Sequence, residues 1–166
     1  LLDRNPYAKR FCDYLRVEWA NGRVPGSFFG SDIFRHFAQA LESWAAADPG
    51  QLDDFGGRSL MMQSHGESIM SFFRSRYRIK GLYLLDEPEV ALSPQSQLDL
   101  IKVFMEARAA GRGQFIIATH SPILLACPGA VIYNFDETPI RPILYEQTKL
   151  YRLYKQFMEN RGALLE

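Results

Sequence analysis

Between Gly81 and Pro88 the chain reads Gly-Leu-Tyr-Leu-Leu-Asp-Glu-Pro, an apolar run of one strand's length closed by two adjacent carboxylates. A run this short and apolar predicts a strand buried in a sheet, with the acids at the sheet edge where ligands collect in α/β folds. Two neighbouring carboxylates are costly to bury unaided. A divalent cation and a polarised water offset that cost by neutralising Asp86 and hydrogen-bonding Glu87. Taken alone, the string reads equally well as a strand followed by an acidic turn that Pro88 closes.

The neighbouring strings favour the first reading. A second apolar run, Phe115-Ile116-Ile117-Ala118-Thr119, ends at His120-Ser121-Pro122. The residues from Pro94 to about Ala110 predict a crossover helix between the two runs. The strands then lie parallel, and Glu87 and His120 reach the same sheet edge. Upstream stands Gln63-Ser64-His65-Gly66-Glu67-Ser68, and directly after the acids comes Ala91-Leu92-Ser93-Pro94.

In this order the four elements resemble the ATP-binding-cassette (ABC) ATPases. Asp86 and Glu87 take the Walker B place, the string around Ser64 the signature, Leu92 to Pro94 the D-loop, and His120 the switch histidine. Asp-Glu-Pro-Glu-Val-Ala-Leu-Ser-Pro and Ala-Thr-His-Ser-Pro are closer in wording to SMC and RecF-like chromosomal ATPases than to transporter subunits. The stretch from about Gly57 to Tyr145 is similar to one bacterial group of ABC-type ATPases.

The resemblance implies ATP and Mg2+ as ligands and a role for each motif. Glu87 orients or deprotonates the attacking water, and Asp86 meets magnesium, through a water. His120 donates to the transferring phosphate, a task that suits its near-neutral intrinsic pKa. Ser64, His65, Gly66 and Glu67 grip the terminal phosphate of an ATP bound on the other protomer, using the amino-terminal end of a helix from about Ser68 to Tyr77. Leu92, Ser93 and Pro94 form a turn against the partner subunit. Two departures stand out. His65 replaces the family's glycine, where a side chain either donates to the phosphate or restricts close approach. Ser93 stands where transporters often carry Asp. Outside this context, Ser-x-Gly-Glu at a helix start serves as plain capping, and a histidine after a strand as a loop residue.

No Gly-x-x-x-x-Gly-Lys-Ser/Thr string occurs in the 166 residues, and Gly26-Ser27-Phe28-Phe29-Gly30 lacks the lysine. With Leu1 as first residue, the expectation is a carboxy-terminal portion whose Walker A and Q-loop lie in a missing amino-terminal half. Such a portion is inactive alone and, once completed, works as a head-to-tail homodimer of two-fold symmetry. A non-catalytic interaction module on the same fold and the ATPase subunit of a transporter are the rival readings.

Nineteen Lys and Arg balance nineteen Asp and Glu, so no global field draws the chain to nucleic acid or an anionic membrane. A nucleic-acid partner would need a local patch; Arg74, Arg76, Arg78 and Lys80 form one basic cluster, read as a solvated face beside a turn. Cys12 and Cys127 match no metal spacing and read as thiols in a reducing, cytoplasmic setting. The most apolar window, Phe115 to Tyr133, holds His120, Pro122 and Pro128 and is no membrane span.

The expected architecture is an α/β three-layer fragment of P-loop NTPase type, with parallel core strands and a helical subdomain. Residues 1–60 form the helical subdomain and lead-in, 61–147 the motif-bearing core, and 148–166 a carboxy-terminal helix. Within the first part, a helix capped by Asn5 and Pro6 and stopped at Asn21-Gly22 buries Phe11, Leu15 and Trp19. A second, from about Ser31 to Ala47, places Phe34, Phe37, Leu41 and Trp44 on one stripe, with His36 on the surface. A loop from Gln51 to Ser59 leads to the signature. Val131 to Phe135 and Ile140 to Tyr145 read as strands, and a helix from Thr148 to Asn160 turns Leu150, Tyr154, Phe157 and Met158 inward.

Overall fold

The computed structural model describes residues 11–20 and 22–165. At its centre β1 (Gly26–Gly30), β2 (Gly81–Asp86) and β3 (Gly113–Ala118) form a parallel sheet with β2 in the middle. Parallel neighbours require crossovers, and α4 (Pro94–Ala109) joins β2 to β3 as the sequence indicates. From β1 the chain passes through α2 (Ser31–Ala47), short 3-10 turns at Pro49–Phe55 and Leu60–Met62, and α3 (His65–Arg76) before entering β2.

Strand alternation sends Phe29, Tyr83 and Leu85 to one face of the sheet, where they meet Phe34 and Leu41 of α2, Ile69 and Phe73 of α3, and Leu100 and Phe104 of α4. Phe73 and Leu100 are fully buried there. Truncating a buried phenylalanine such as Phe73 to alanine costs roughly 3–5 kcal/mol. The Tyr83 hydroxyl lies between the carbonyls of Arg76, at 3.0 Å, and Ile79, which share its single proton. It thereby anchors the end of α3, whose last carbonyls lack helical partners, to the strand that follows. On the opposite face Phe28, Leu84 and Ile116 share one register row across the three strands. All three are exposed, so the described residues supply the sheet and one covering layer of helices.

The remaining elements extend from the end of β3. They are α5 (Pro122–Leu125), an antiparallel pair of β4 (Ile132–Asn134) and β5 (Arg141–Ile143), and α6 (Lys149–Glu159). Among the described residues no helix is long and apolar enough to cross a membrane.

Several expectations need correction. Asn5, Pro6, Asn21 and the side chain of Phe11 lie outside the described residues; within them the first helix, α1, covers only Phe11–Tyr14, and Leu15 and Trp19 are exposed. The second helix has the expected bounds, but its buried stripe is Phe34, Ala38, Leu41 and Ala45. Small alanines allow the close approach that the bulk of Trp44 prevents, and Trp44 faces solvent. The segment 1–60 also donates β1, a strand hidden in a short glycine-bounded string without alternation. In place of the loop from Gln51 stands the 3-10 turn Pro49–Phe55, with Leu52 and Phe55 against the core. No residue of α6 is buried: Tyr154, Phe157 and Met158 are exposed, because the helix packs on α5 and the turn before it and not on the sheet.

Candidate functional site

β2 delivers Asp86 to the carboxyl-terminal edge of the sheet, in register with Gly30 on one side and Ala118 on the other. The chain then turns through Glu87, whose φ of 45° lies in the left-handed region. A non-glycine residue there is strained, and such strain clusters at functional sites. The turn is held by the amide of Glu87 donating to the carbonyl of Ala118 at 2.9 Å and that of Val90 donating to the carbonyl of Glu87 at 3.2 Å. It directs the Glu87 carboxylate towards the end of β3, where Oε1 lies 3.6 Å from Nε2 of His120. Both side chains are substantially exposed, and the separation leaves each free to engage a third group.

Two residues that the sequence reading leaves without a role complete this edge. Glu89 accepts the backbone amide of His120 at 2.7 Å through Oε1, while its Oε2 is sealed from solvent with no hydrogen-bond partner among the described residues. Gln97 of α4 donates to the carbonyl of Leu92 at 3.0 Å and accepts the hydroxyl of Ser121 at 2.5 Å. Ser121 in turn caps α5 by accepting the amides of Ile123 and Leu124. The one sequence signal for Glu89 is a second acid spaced two residues after Glu87; for Gln97 there is none. A cleft of about 390 Å3 opens between these loops, lined by Glu87, Glu89, Gln97, His120, Ser121 and Tyr154 among others.

The helix expected from Ser68 begins earlier, at His65, which makes Ser64 its N-cap. Ser64 Oγ donates to Glu67 Oε2 at 2.6 Å and accepts the Glu67 amide, and Glu67 Oε2 accepts the Ser64 amide. This capping box occupies the hydroxyl and the carboxylate and leaves the His65 and Gly66 amides, at the helix start, as donors without a partner among the described residues. The Ser64 hydroxyl, joined by its amide, holds the Glu67 carboxyl below the usual carboxylate range. His65 is exposed, its ring 6.2 Å from that of Phe34. In the following turn Leu92 is buried in its own core, Ser93 caps α4 by accepting the Ser96 amide, and Pro94 opens the helix. The part of that turn left for a partner is therefore Ser93 and Pro94. Of the basic cluster, Arg76 donates to Ser27 and to the carbonyl of Gly26, and Arg74 and Arg78 line a separate cavity with Lys102 and Arg112.

Among the described residues no cluster of three or more His, Cys, Asp or Glu side chains converges to hold a metal. Asp86 is exposed, and its carboxylate has no hydrogen bond among the described residues. Mg2+ bound through one or two carboxylates, waters and substrate phosphates needs no protein cage, and Asp86 fits that donor set.

No curated protein matches the chain. Residues 69–126 match the family model described as "AAA domain, putative AbiEii toxin, Type IV TA system". The matched stretch begins just after the capping box and takes in Asp86, Glu87, Glu89, Gln97 and His120. Over that stretch, about a third of the chain, the sequence is similar to AAA domains.

Proposed function

We propose that this chain carries the Walker B, signature, D-loop and switch-histidine parts of an ABC-type ATPase. In this reading ATP is hydrolysed at the interface of a head-to-tail homodimer, and the Walker A loop comes from residues other than these 166. The observation that carries the reading is the left-handed backbone at Glu87, which brings a catalytic-type carboxylate to 3.6 Å from His120 at the end of a parallel sheet.

Phosphoryl transfer asks the protein mainly for positioning and charge stabilisation. Glu87 Oε1 orients the attacking water and takes its proton, within reach of the His120 imidazole. His120 Nε2 donates to the transferring phosphate. Asp86 is the carboxylate available to Mg2+, which when bound neutralises charge on the phosphates. The amides of His65 and Gly66 offer donors, at the positive end of α3, to the terminal phosphate held by the other protomer.

The test is magnesium-dependent ATP hydrolysis by the complete protein, wild type against Glu87→Gln, with ATP-dependent dimerisation followed in the same samples. The variant is expected to lose roughly 10²–10⁴ in rate, the usual weight of general base catalysis, and to accumulate an ATP-bound dimer. A wild type with neither hydrolysis nor a nucleotide-linked dimer overturns the reading in favour of a non-catalytic interaction module.

A further inference from the structure

We propose that Glu89 and Gln97 are positioning residues: a two-point clamp that fixes the loop of His120 to the turn after Asp86 and so sets where the imidazole stands relative to Glu87. The inference rests on the ATPase reading for its consequence in catalysis, but not for its geometry.

The loop from Thr119 to Ser121 leaves β3 with few restraints of its own. Its internal bond is Ser121 N to Thr119 Oγ1 at 3.0 Å. His120 is exposed, and its side chain has no hydrogen bond among the described residues, so packing does not fix it. Its backbone is held from across the site, by Glu89 Oε1 at 2.7 Å, a charge-assisted bond. One residue further on, the Ser121 hydroxyl is held by Gln97, which is bonded at its other end to the carbonyl of Leu92. Both clamps start in the turn that follows Glu87, or in the helix that turn opens. A displacement of residues 89–92 is thus passed to His120 and Ser121 through side chains, in addition to the backbone bond of Glu87 to Ala118.

Stability alone does not account for Glu89. Its Oε2 is sealed from water with no donor among the described residues, and a carboxylate so placed is a folding liability. Local rules are broken in this way where a site's geometry is being served. The exposed face of the same turn, Ser93 and Pro94, is the part left open to a partner. The clamp therefore gives contacts made there a route to the histidine without any change in Asp86.

The experiment compares wild type, Glu89→Ala, Glu89→Gln and Gln97→Ala in the complete protein, reading amide hydrogen exchange at His120 and the kcat and KM of ATP hydrolysis. Glu89→Ala is expected to speed His120 amide exchange by about tenfold or more and to lower kcat by about tenfold, with KM moved less than about twofold. Glu89→Gln keeps an acceptor at Oε1 and is expected to restore both to within about threefold of wild type. Gln97→Ala is expected to speed exchange at the Ile123 and Leu124 amides, whose acceptor it frees, and to lower kcat. Wild-type exchange at His120 in Glu89→Ala, or failure of Glu89→Gln to restore it, overturns the clamp. If Glu89→Ala loses the fold, Glu89→Gln and Gln97→Ala decide: wild-type kcat in Gln97→Ala together with altered exchange at His120 in Glu89→Gln overturns it. Should hydrolysis prove insensitive to Glu87→Gln and His120→Ala, the ATPase reading falls, while the exchange data still decide the clamp.

Discussion

A β-carbon built on Gly66 falls 2.9 Å from the carbonyl oxygen of Ala91, so the first turn of α3 rests directly on the turn that follows Glu87. The obstacle is backbone and not the tip of a flexible side chain. Gly66→Ala must push the two segments apart, and overpacking of this kind costs roughly 1–3 kcal/mol. In a chain of this size that lowers the melting temperature by roughly 2–10 °C. Thermal unfolding checks the magnitude. An unchanged midpoint means that the contact is looser than the structure has it.

Glu87 separates stability from activity. Its φ of 45° costs a side-chain-bearing residue about 1–2 kcal/mol, less for asparagine, which tolerates this region. Glu87→Asn is therefore expected to leave stability unchanged or to raise it by up to about 1 kcal/mol, while removing the carboxylate and with it hydrolysis. A β-branched replacement, Glu87→Val, is expected to lose roughly 1–3 kcal/mol. Denaturant titrations of the two variants beside wild type make the comparison. Equal losses in both would argue against a strained backbone at this position.

Cys127 follows the end of α5, partly buried beside the core. Burial pushes its thiol up, against a smaller downward pull from Arg108. The thiolate is the reactive form, so alkylation at pH 8 is expected to run slower than for a small-molecule thiol. Arg108→Ala removes the downward pull and slows it further. Rates of iodoacetamide modification of the folded protein settle it, and faster modification in Arg108→Ala would reverse the electrostatic assignment.

What the sequence made legible was the part written in contiguous strings. Gly81–Asp86 and Gly113–Ala118 are apolar, short and followed by polar residues with distinctive chemistry, so strand, edge and parallel order were all readable from spacing. The helix from Pro94 was legible as the crossover that two parallel strands require, whereas α3 starts at His65, three residues before the expected Ser68, because Ser64 caps it. Phe28-Phe29 did not announce β1, because one phenylalanine is buried and the other is exposed on the open face, and that difference is tertiary. The same holds for α6, whose apolar stripe satisfies helical periodicity yet packs on α5 and the turn before it and leaves the open face of the sheet uncovered. The roles of Glu89 and Gln97 were not legible for a further reason. Their partners, His120 and Ser121, are brought to them only by the crossover through α4.

Glu67 tests whether the start of α3 is a cap, an anion site or both. Its carboxyl is lowered first by the Ser64 hydroxyl and then by the Ser64 amide. A folded-state value below the unfolded one means that the box stabilises the protein above the unfolded pKa, and that this contribution is lost as pH falls through the folded pKa. Ser64→Ala is expected to raise the Glu67 carboxyl towards its ordinary value, as read by carbon NMR titration; an unchanged titration would deny the hydroxyl its role. Glu67→Gln keeps the reciprocal geometry, since glutamine also closes a capping box, and it removes one negative charge beside the His65 and Gly66 amides. If a phosphate docks on those amides, ATP-dependent dimerisation should tighten, by roughly fivefold, because the repulsion between carboxylate and phosphate is relieved. Weaker dimerisation in Glu67→Gln, with the fold intact, would mean that the carboxylate itself makes a contact across the interface, and the amides would lose their claim to the phosphate.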